Sequence, residues 1–153
     1  SNDTLHEKVV EIIAYCLMPT HIHLLVRDLK EGGISRFMNK VLNSYSRYFN
    51  LKHKRKGPLW QGRFKKIEVE NDEQLLHVTR YIHLNPVTAY LVESPQDWIY
   101  SSYPEYIEAG GMKTALCHYK DLLDISPELY RKFVEERISE QRELAIIKSM
   151  FLE

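Results

Sequence analysis

Two apolar runs joined by a tight turn constrain this chain more than any other feature. Lys8–Leu17 (KVVEIIAYCL) is apolar and rich in β-branched residues. Met18-Pro19-Thr20 supplies the turn, and His21–Arg27 (HIHLLVR) returns. This pattern predicts an antiparallel β-hairpin. A lone hairpin is marginal in water, so its apolar face has to be covered by other elements.

The rest of the chain supplies that cover. Gly32-Gly33 breaks the chain, and Ile34–Leu51 then carries Ile34, Phe37, Met38, Val41, Leu42, Tyr45, Tyr48 and Phe49 at helical period. His53–Gly62 reads as a basic loop and Phe64–Glu70 as a third strand. Asn71 with Gln74 fits a capping box opening a second helix, which Pro86 is expected to stop near Leu84. Leu91–Ala109 reads as irregular, packed down by Trp98, Tyr100, Tyr103 and Tyr106. Helices are expected at Cys117–Leu123 and Pro127–Phe151, the latter with Leu129, Phe133, Val134, Ile138 and Ala145 as its apolar side. The order strand, strand, helix, strand, helix predicts an α+β fold, an antiparallel sheet with helices on one face. At 153 residues the chain suits one domain, with 1–110 as its body and 111–153 as a helical extension.

Several classes are excluded. No apolar run reaches the roughly 20 residues of a membrane span, and no signal-peptide pattern is present, so no membrane partner is expected. Cys16 and Cys117 are too few for a disulfide scaffold or a cysteine metal cluster. They read as reduced thiols of a cytoplasmic protein, Cys16 buried in a strand.

Net charge is zero, 21 basic against 21 acidic residues, which taken alone argues against a nucleic-acid partner. The distribution argues the other way. Residues 36–66 hold ten Lys and Arg and no acid, leaving 11 basic and 21 acidic residues elsewhere, or minus ten. Tyr45, Tyr48, Phe49, Trp60 and Phe64 lie within the basic stretch. Cations interleaved with aromatics suit a phosphate backbone and unstacked bases. A solvated face over core aromatics is the plainer alternative.

Two constellations carry chemistry. In a strand, His21 and His23 point to one face, where two imidazoles can ligate one divalent cation. The motif is short, and two surface histidines satisfy it equally well. Tyr81 and Asn85 share a helix face at i and i+4, in a row with His77 beside the apolar stripe Leu75, Val78, Thr79 and Ile82. A phenol, with a pKa of about 10, becomes a usable nucleophile when a cation stabilises the phosphate it attacks. The alternatives are a half-buried core tyrosine and a helix C-cap at Asn85. His53, His77, His83 and His118 read as surface or structural residues, with His77 the one near enough in register to touch the site.

The segments AYCLMPTHIHLLV, GPLWQGRFK and RYIHLNPV occur in that order. Jointly, over roughly Ile12 to Tyr106, they resemble the REP-associated tyrosine transposases, a branch of the single-tyrosine HUH (IS200-like) transposases. The resemblance implies a ferredoxin-like antiparallel sheet and action on single-stranded DNA near hairpins. It implies that His21 and His23 bind Mg²⁺ or Mn²⁺, with Asn85 as third ligand and Tyr81 as nucleophile. Such enzymes cut one strand, form a 5′-phosphotyrosine link and leave a 3′-OH that can reverse the reaction on another strand. Arg47, Lys52, Lys54, Arg55, Lys56, Arg63, Lys65, Lys66 and Arg80 are then expected on DNA, mainly as phosphate contacts. Trp60 is expected either to stack a base or to pack its loop, and Gln61 to read a base edge.

Thr20 stands where the family carries Asn. The family's first strand and helix are expected upstream of where this chain begins. Their absence would leave an open edge beside the hairpin, inviting a homodimer that completes the sheet. Two other functions fit less closely: a hairpin-DNA-binding module that does not cut, and a hydrolase of small phosphoesters using His21 and His23.

Overall fold

The computed structural model describes residues 7–152, with side chains described for 7–147. Strands β1 (Val10–Leu17) and β2 (Ile22–Asp28) form the hairpin. Met18 N–H donates to His21 O at 2.9 Å to close its turn. Helices α1 (Gly33–Lys52), α2 (Asp72–Thr88), α3 (Tyr103–Ile107), α4 (Pro127–Glu135) and α5 (Ile138–Leu152) follow, with a 3-10 turn at Pro95–Asp97. The fold is α+β, with a two-stranded antiparallel sheet among the described residues.

These elements belong to two compact units. The first joins residues 7–11 with Val26–Glu68 and holds the base of the hairpin, α1 and the basic loop. Gly33 is indispensable there. A Cβ on it would lie 2.3 Å from Val9 O and 2.9 Å from Asp28 Oδ1, inside van der Waals contact. Asp28 Oδ1 accepts Ile34 N–H at 2.6 Å, which starts α1 from the end of β2.

The second unit joins Ile12–Leu25 with the chain from Val69 onward. Its core gathers Ile13, Ala14 and Cys16 from β1, Leu25 from β2, Leu75, Ile82, Leu84 and Val87 from α2, and Tyr103, Tyr106, Tyr130 and Val134 from α3 and α4. Cys16 is buried in β1 as expected, and burial pushes its thiol up to about 11. His83 lies fully buried in this core. Its Nδ1 is 2.7 Å from Tyr130 Oη and its Nε2 is 2.8 Å from Ser102 Oγ. Ser102 Oγ is itself 3.2 Å from Tyr15 O and accepts Tyr15 N–H at 2.9 Å. The donor count closes with Tyr130 donating to Nδ1, Nε2–H donating to Ser102, and Ser102 donating to Tyr15 O. The imidazole is therefore neutral, and burial drives its pKa down to about 3.

The outer edge of β1 is not open. Leu17 N–H donates to Tyr100 O at 2.8 Å and Ser102 N–H to Tyr15 O at 2.9 Å, forming an antiparallel bridge between Cys16 and Ser101. The chain's own residues 100–102 thus occupy the β1 edge from Tyr15 to Leu17.

Four expected elements are corrected. Phe64–Glu70 is not a strand. Phe64 and Ile67 are an odd number of residues apart and cannot share a strand face, and Ile67 is left exposed. The second helix does not stop before Pro86 but runs to Thr88. The proline ring is fully buried, and Ala89 N–H to Asn85 O at 3.0 Å and Leu91 N–H to Pro86 O at 2.9 Å finish the last turn. Packing thus offsets the lost donor.

Cys117–Leu123 is not helical, because its amides have tertiary partners. Cys117 N–H donates to Glu105 Oε1 at 2.9 Å and His118 N–H to Ile12 O at 2.8 Å. Pro127–Phe151 is two helices, broken at Glu136 and Arg137. Arg142 on α5 donates to Val87 O and Val92 O, each at 3.1 Å, which docks α5 beside α2. The side chain of Phe151 lies outside the described residues.

The buried histidine makes stability depend on pH. Unfolded His83 titrates near 6.5 and folded His83 near 3. Below pH 6.5 the unfolded state takes up a proton that the folded state refuses. Stability should therefore drop by about 1.4 kcal/mol per pH unit between those values and level off below them. Denaturant unfolding between pH 8 and pH 4 should show this slope, and His83→Gln should remove that part of it.

Candidate active site

The site begins at the hairpin turn. His21 immediately precedes β2 and His23 lies within it, and the pleat carries both to one side. Their ring centroids are 4.8 Å apart, edge to face. Thr20 Oγ1 is 3.2 Å from His21 Nδ1. In the tautomer with Nδ1–H donating to Thr20, the His21 Nε2 lone pair is free. Burial, and secondarily the neighbouring His21, hold the His23 pKa below its ordinary value. His23 is therefore neutral near pH 7, the state a metal ligand needs.

Tyr81 comes from α2. Asn71 Oδ1 accepts Gln74 N–H at 2.8 Å, and Gln74 Oε1 accepts Glu70 N–H at 2.8 Å, so the helix starts where the capping signal places it. Leu75, Thr79, Ile82, His83 and Pro86 face inward. That register turns Tyr81 outward, and its side chain is 51% exposed. Its ring lies 5.8 Å from the His23 ring, edge to face. The histidine pair and the tyrosine, some 60 residues apart in sequence, thus meet in one unit.

Asn85 lies one turn beyond Tyr81 on the same side of α2, half-buried. It is not the helix C-cap, because α2 continues to Thr88 and Ala89 takes that position. Its amide is therefore not committed to closing the helix. Two imidazoles and one amide oxygen are donors that suit a divalent cation, Mn²⁺ more readily than Mg²⁺ because two of them are nitrogen. Among the described residues no group of three or more His, Cys, Asp and Glu side chains is placed to hold a metal.

Two residues expected near DNA or the site face elsewhere. Arg80 is buried. It donates to Phe133 O at 3.1 Å and lies 2.8 Å from His77 Nδ1, with its guanidinium 3.8 Å from the Phe133 ring centroid. Adjacent helix positions are about 100° apart, so Arg80 points into the protein while Tyr81 points out. It is a structural cation here, not a phosphate contact. His77, held by Arg80 and Phe133, is likewise taken up by α4.

The other basic residues belong to the first unit. Arg47, Lys52, Lys54, Lys56, Arg63, Lys65 and Lys66 are exposed, as is Gln61. Arg55 is half-buried and holds its loop, donating to Asn50 Oδ1 at 2.8 Å and Pro58 O at 3.0 Å. Trp60 Nε1–H donates to Leu42 O at 3.0 Å, and its ring is 5.8 Å from that of Tyr45. These contacts hold Trp60 against α1, with part of its surface still accessible.

The sequence reading missed the supports of α2, namely Ser102 and Tyr130 around His83. A signal for His83 was present: it falls on the same helical stripe as Leu75, Thr79 and Ile82. No local pattern marks Ser102 or Tyr130 as its partners.

The sequence profile of a family described as "Transposase IS200 like" matches residues 2–85, a span that includes His21, His23, Tyr81 and Asn85. A curated protein of Haemophilus influenzae, named as a REP-associated tyrosine transposase, is 30% identical over 109 residues. The match covers 65% of this chain and 62% of that protein, so the chain spans less than two thirds of its relative. No solved structure matches.

Two measurements test the geometry. In an NMR titration His23 should titrate below the ordinary histidine value. His21→Ala should raise it only partway, because burial is the larger cause. Arg80→Ala should cost about 2–4 kcal/mol of stability, as expected for a buried, hydrogen-bonded cation, and leave the salt dependence of DNA binding unchanged.

Proposed function

This chain belongs to the IS200-like transposase family, and from that premise we propose that it cuts and rejoins single-stranded DNA near hairpins through a covalent bond to Tyr81. The observation that carries this reading is the exposed Tyr81 ring 5.8 Å from His23, with His21 4.8 Å further along the pair. A phenol in the core would be useless as a nucleophile towards a polymer, whereas Tyr81 faces solvent.

In the proposed step, Tyr81 Oη attacks the phosphorus of one phosphodiester. The O–P bond to tyrosine forms as the bond to the 3′-oxygen breaks. The phenol proton passes to water, and the departing 3′-oxygen takes a proton to become a 3′-OH. The 5′ end stays on Tyr81 as a phosphodiester. A 3′-OH from another strand reverses the exchange, so the bond energy is conserved and no nucleotide cofactor is needed. His21, His23 and Asn85 would hold Mg²⁺ or Mn²⁺, which when bound supplies the charge that polarises the scissile phosphate and steadies the leaving oxygen. His23 would serve as a ligand in its neutral form, His21 through the Nε2 lone pair left free when Nδ1–H donates to Thr20, and Asn85 through an amide spared from capping. The exposed lysines and arginines of residues 36–66 hold the DNA backbone, and this term should be strongly salt-dependent.

A second reading, binding without cleavage, is favoured by one observation. Among the described residues the sheet is the two-stranded hairpin. A homodimer that completes the sheet would have to add along β2, since residues 100–102 occupy β1 from Tyr15 to Leu17.

A 3′-labelled, hairpin-flanked oligonucleotide incubated with the protein and Mn²⁺ should give a covalent adduct stable in detergent. EDTA and Tyr81→Phe should abolish it, and His23→Ala should reduce it about 100-fold or more. Binding of the same oligonucleotide should survive Tyr81→Phe. Binding with no adduct on any such substrate sinks the catalytic reading and leaves the binding module.

A further inference from the structure

Helix α1 carries a pattern that phosphate binding does not require. At about 100° per residue, Ser35, Asn39, Asn43, Ser46 and Asn50 fall in one row along it. Arg36, Lys40 and Arg47 flank this row on one side, and Leu42, Tyr45 and Phe49 on the other. The row is neutral, and it consists of amides and hydroxyls. Asn50, at its end, is used for structure: its Nδ2 donates to Gly57 O at 3.0 Å and its Oδ1 accepts from Arg55. Ser35, Asn39 and Asn43 are exposed and without such a task.

The chain returns over this row. The Trp60 bond to Leu42 O pins the returning segment to α1, and Gly62, at φ 100°, lets it turn where a side chain would be strained. The result is an open cleft of about 540 Å³ within the first unit. Ser35, Asn39 and Asn43 line its helix side, and Trp60, Arg63, Phe64 and Lys66 line the other. The size falls in the range of small-ligand sites.

We propose that this cleft reads a single unpaired nucleobase, with Asn39 and Asn43 bonding its edge, Trp60 and Phe64 against its faces, and Arg63 and Lys66 on the neighbouring phosphates. The proposal rests on the single-stranded DNA reading above and adds to it a source of sequence preference. A carboxamide offers one donor and one acceptor side by side, the complement of a base edge such as adenine N6 and N7. A phosphate takes up only the donor half of a carboxamide, whereas a base edge engages donor and acceptor together. Aromatic side chains grip any base face, while the basic ones position the strand without reading it.

The test uses Tyr81→Phe protein, so that no strand is cut, and fluorescein-labelled dA15, dT15 and dC15 in anisotropy titrations at several salt concentrations. One homopolymer should bind about 5-fold or more tightly than the weakest. The double variant Asn39→Ala/Asn43→Ala should reduce that preference below about 2-fold and leave the salt slope unchanged. Alanine favours helix, so α1 should persist, with circular dichroism as the control. Arg63→Ala should weaken all three alike and lower the salt slope by about one. Equal affinity for all three homopolymers, or a preference that survives the double variant, overturns the base-reading site alone. No binding to any of them overturns the nucleic-acid reading together with it.

Discussion

The second unit depends on a buried, neutral imidazole. His83 sits two residues from Tyr81 on α2 and points the opposite way, into the core. There it is bonded to Tyr130 of α4 and to Ser102, which is itself bonded to β1 at Tyr15. One side chain therefore ties three separate elements of the unit together. An unsatisfied imidazole in that position would be costly, so the three elements are held in the register that satisfies it. Tyr81 is turned outward beside His23 because His83 is turned inward.

Neutrality recurs at both histidine sites for related reasons. Burial alone keeps His83 uncharged. Burial and a neighbouring ring do the same, less strongly, for His23. Charges that are buried in the same unit are partnered. Arg80 lies over Phe133, and Glu105 accepts from the amides of Leu116 and Cys117. Among the described residues with buried side-chain polar atoms, the Tyr103 hydroxyl is the exception without a partner.

The first unit is organised differently. Its helix has the apolar period of an amphipathic element, yet Gly33 is the one residue of α1 that is fully buried. Tyr45, Tyr48 and Leu51 remain exposed, and nine of the ten basic residues between 36 and 66 do as well. The bonds present there fix the loop to the helix through Trp60, Asn50 and Arg55. They leave the cations outward.

Local chemistry made the hairpin, α1, the start of α2 and the histidine–tyrosine constellation legible in advance. Alternation, helical period and a capping box act over a few residues and need nothing else. The same signals failed where distant partners intervened. Pro86 did not end α2, because its ring is buried and the last turn is bonded around it. Cys117–Leu123 did not become helical, because Glu105 and Ile12 took its amides. Arg80 looked like a surface cation until Phe133 and His77 claimed it. The sequence by itself determined which side chains exist at which spacing, and with them the family and the charge segregation. Only the tertiary structure decided which of those side chains face outward, because burial and hydrogen-bond satisfaction are settled between residues far apart in the chain.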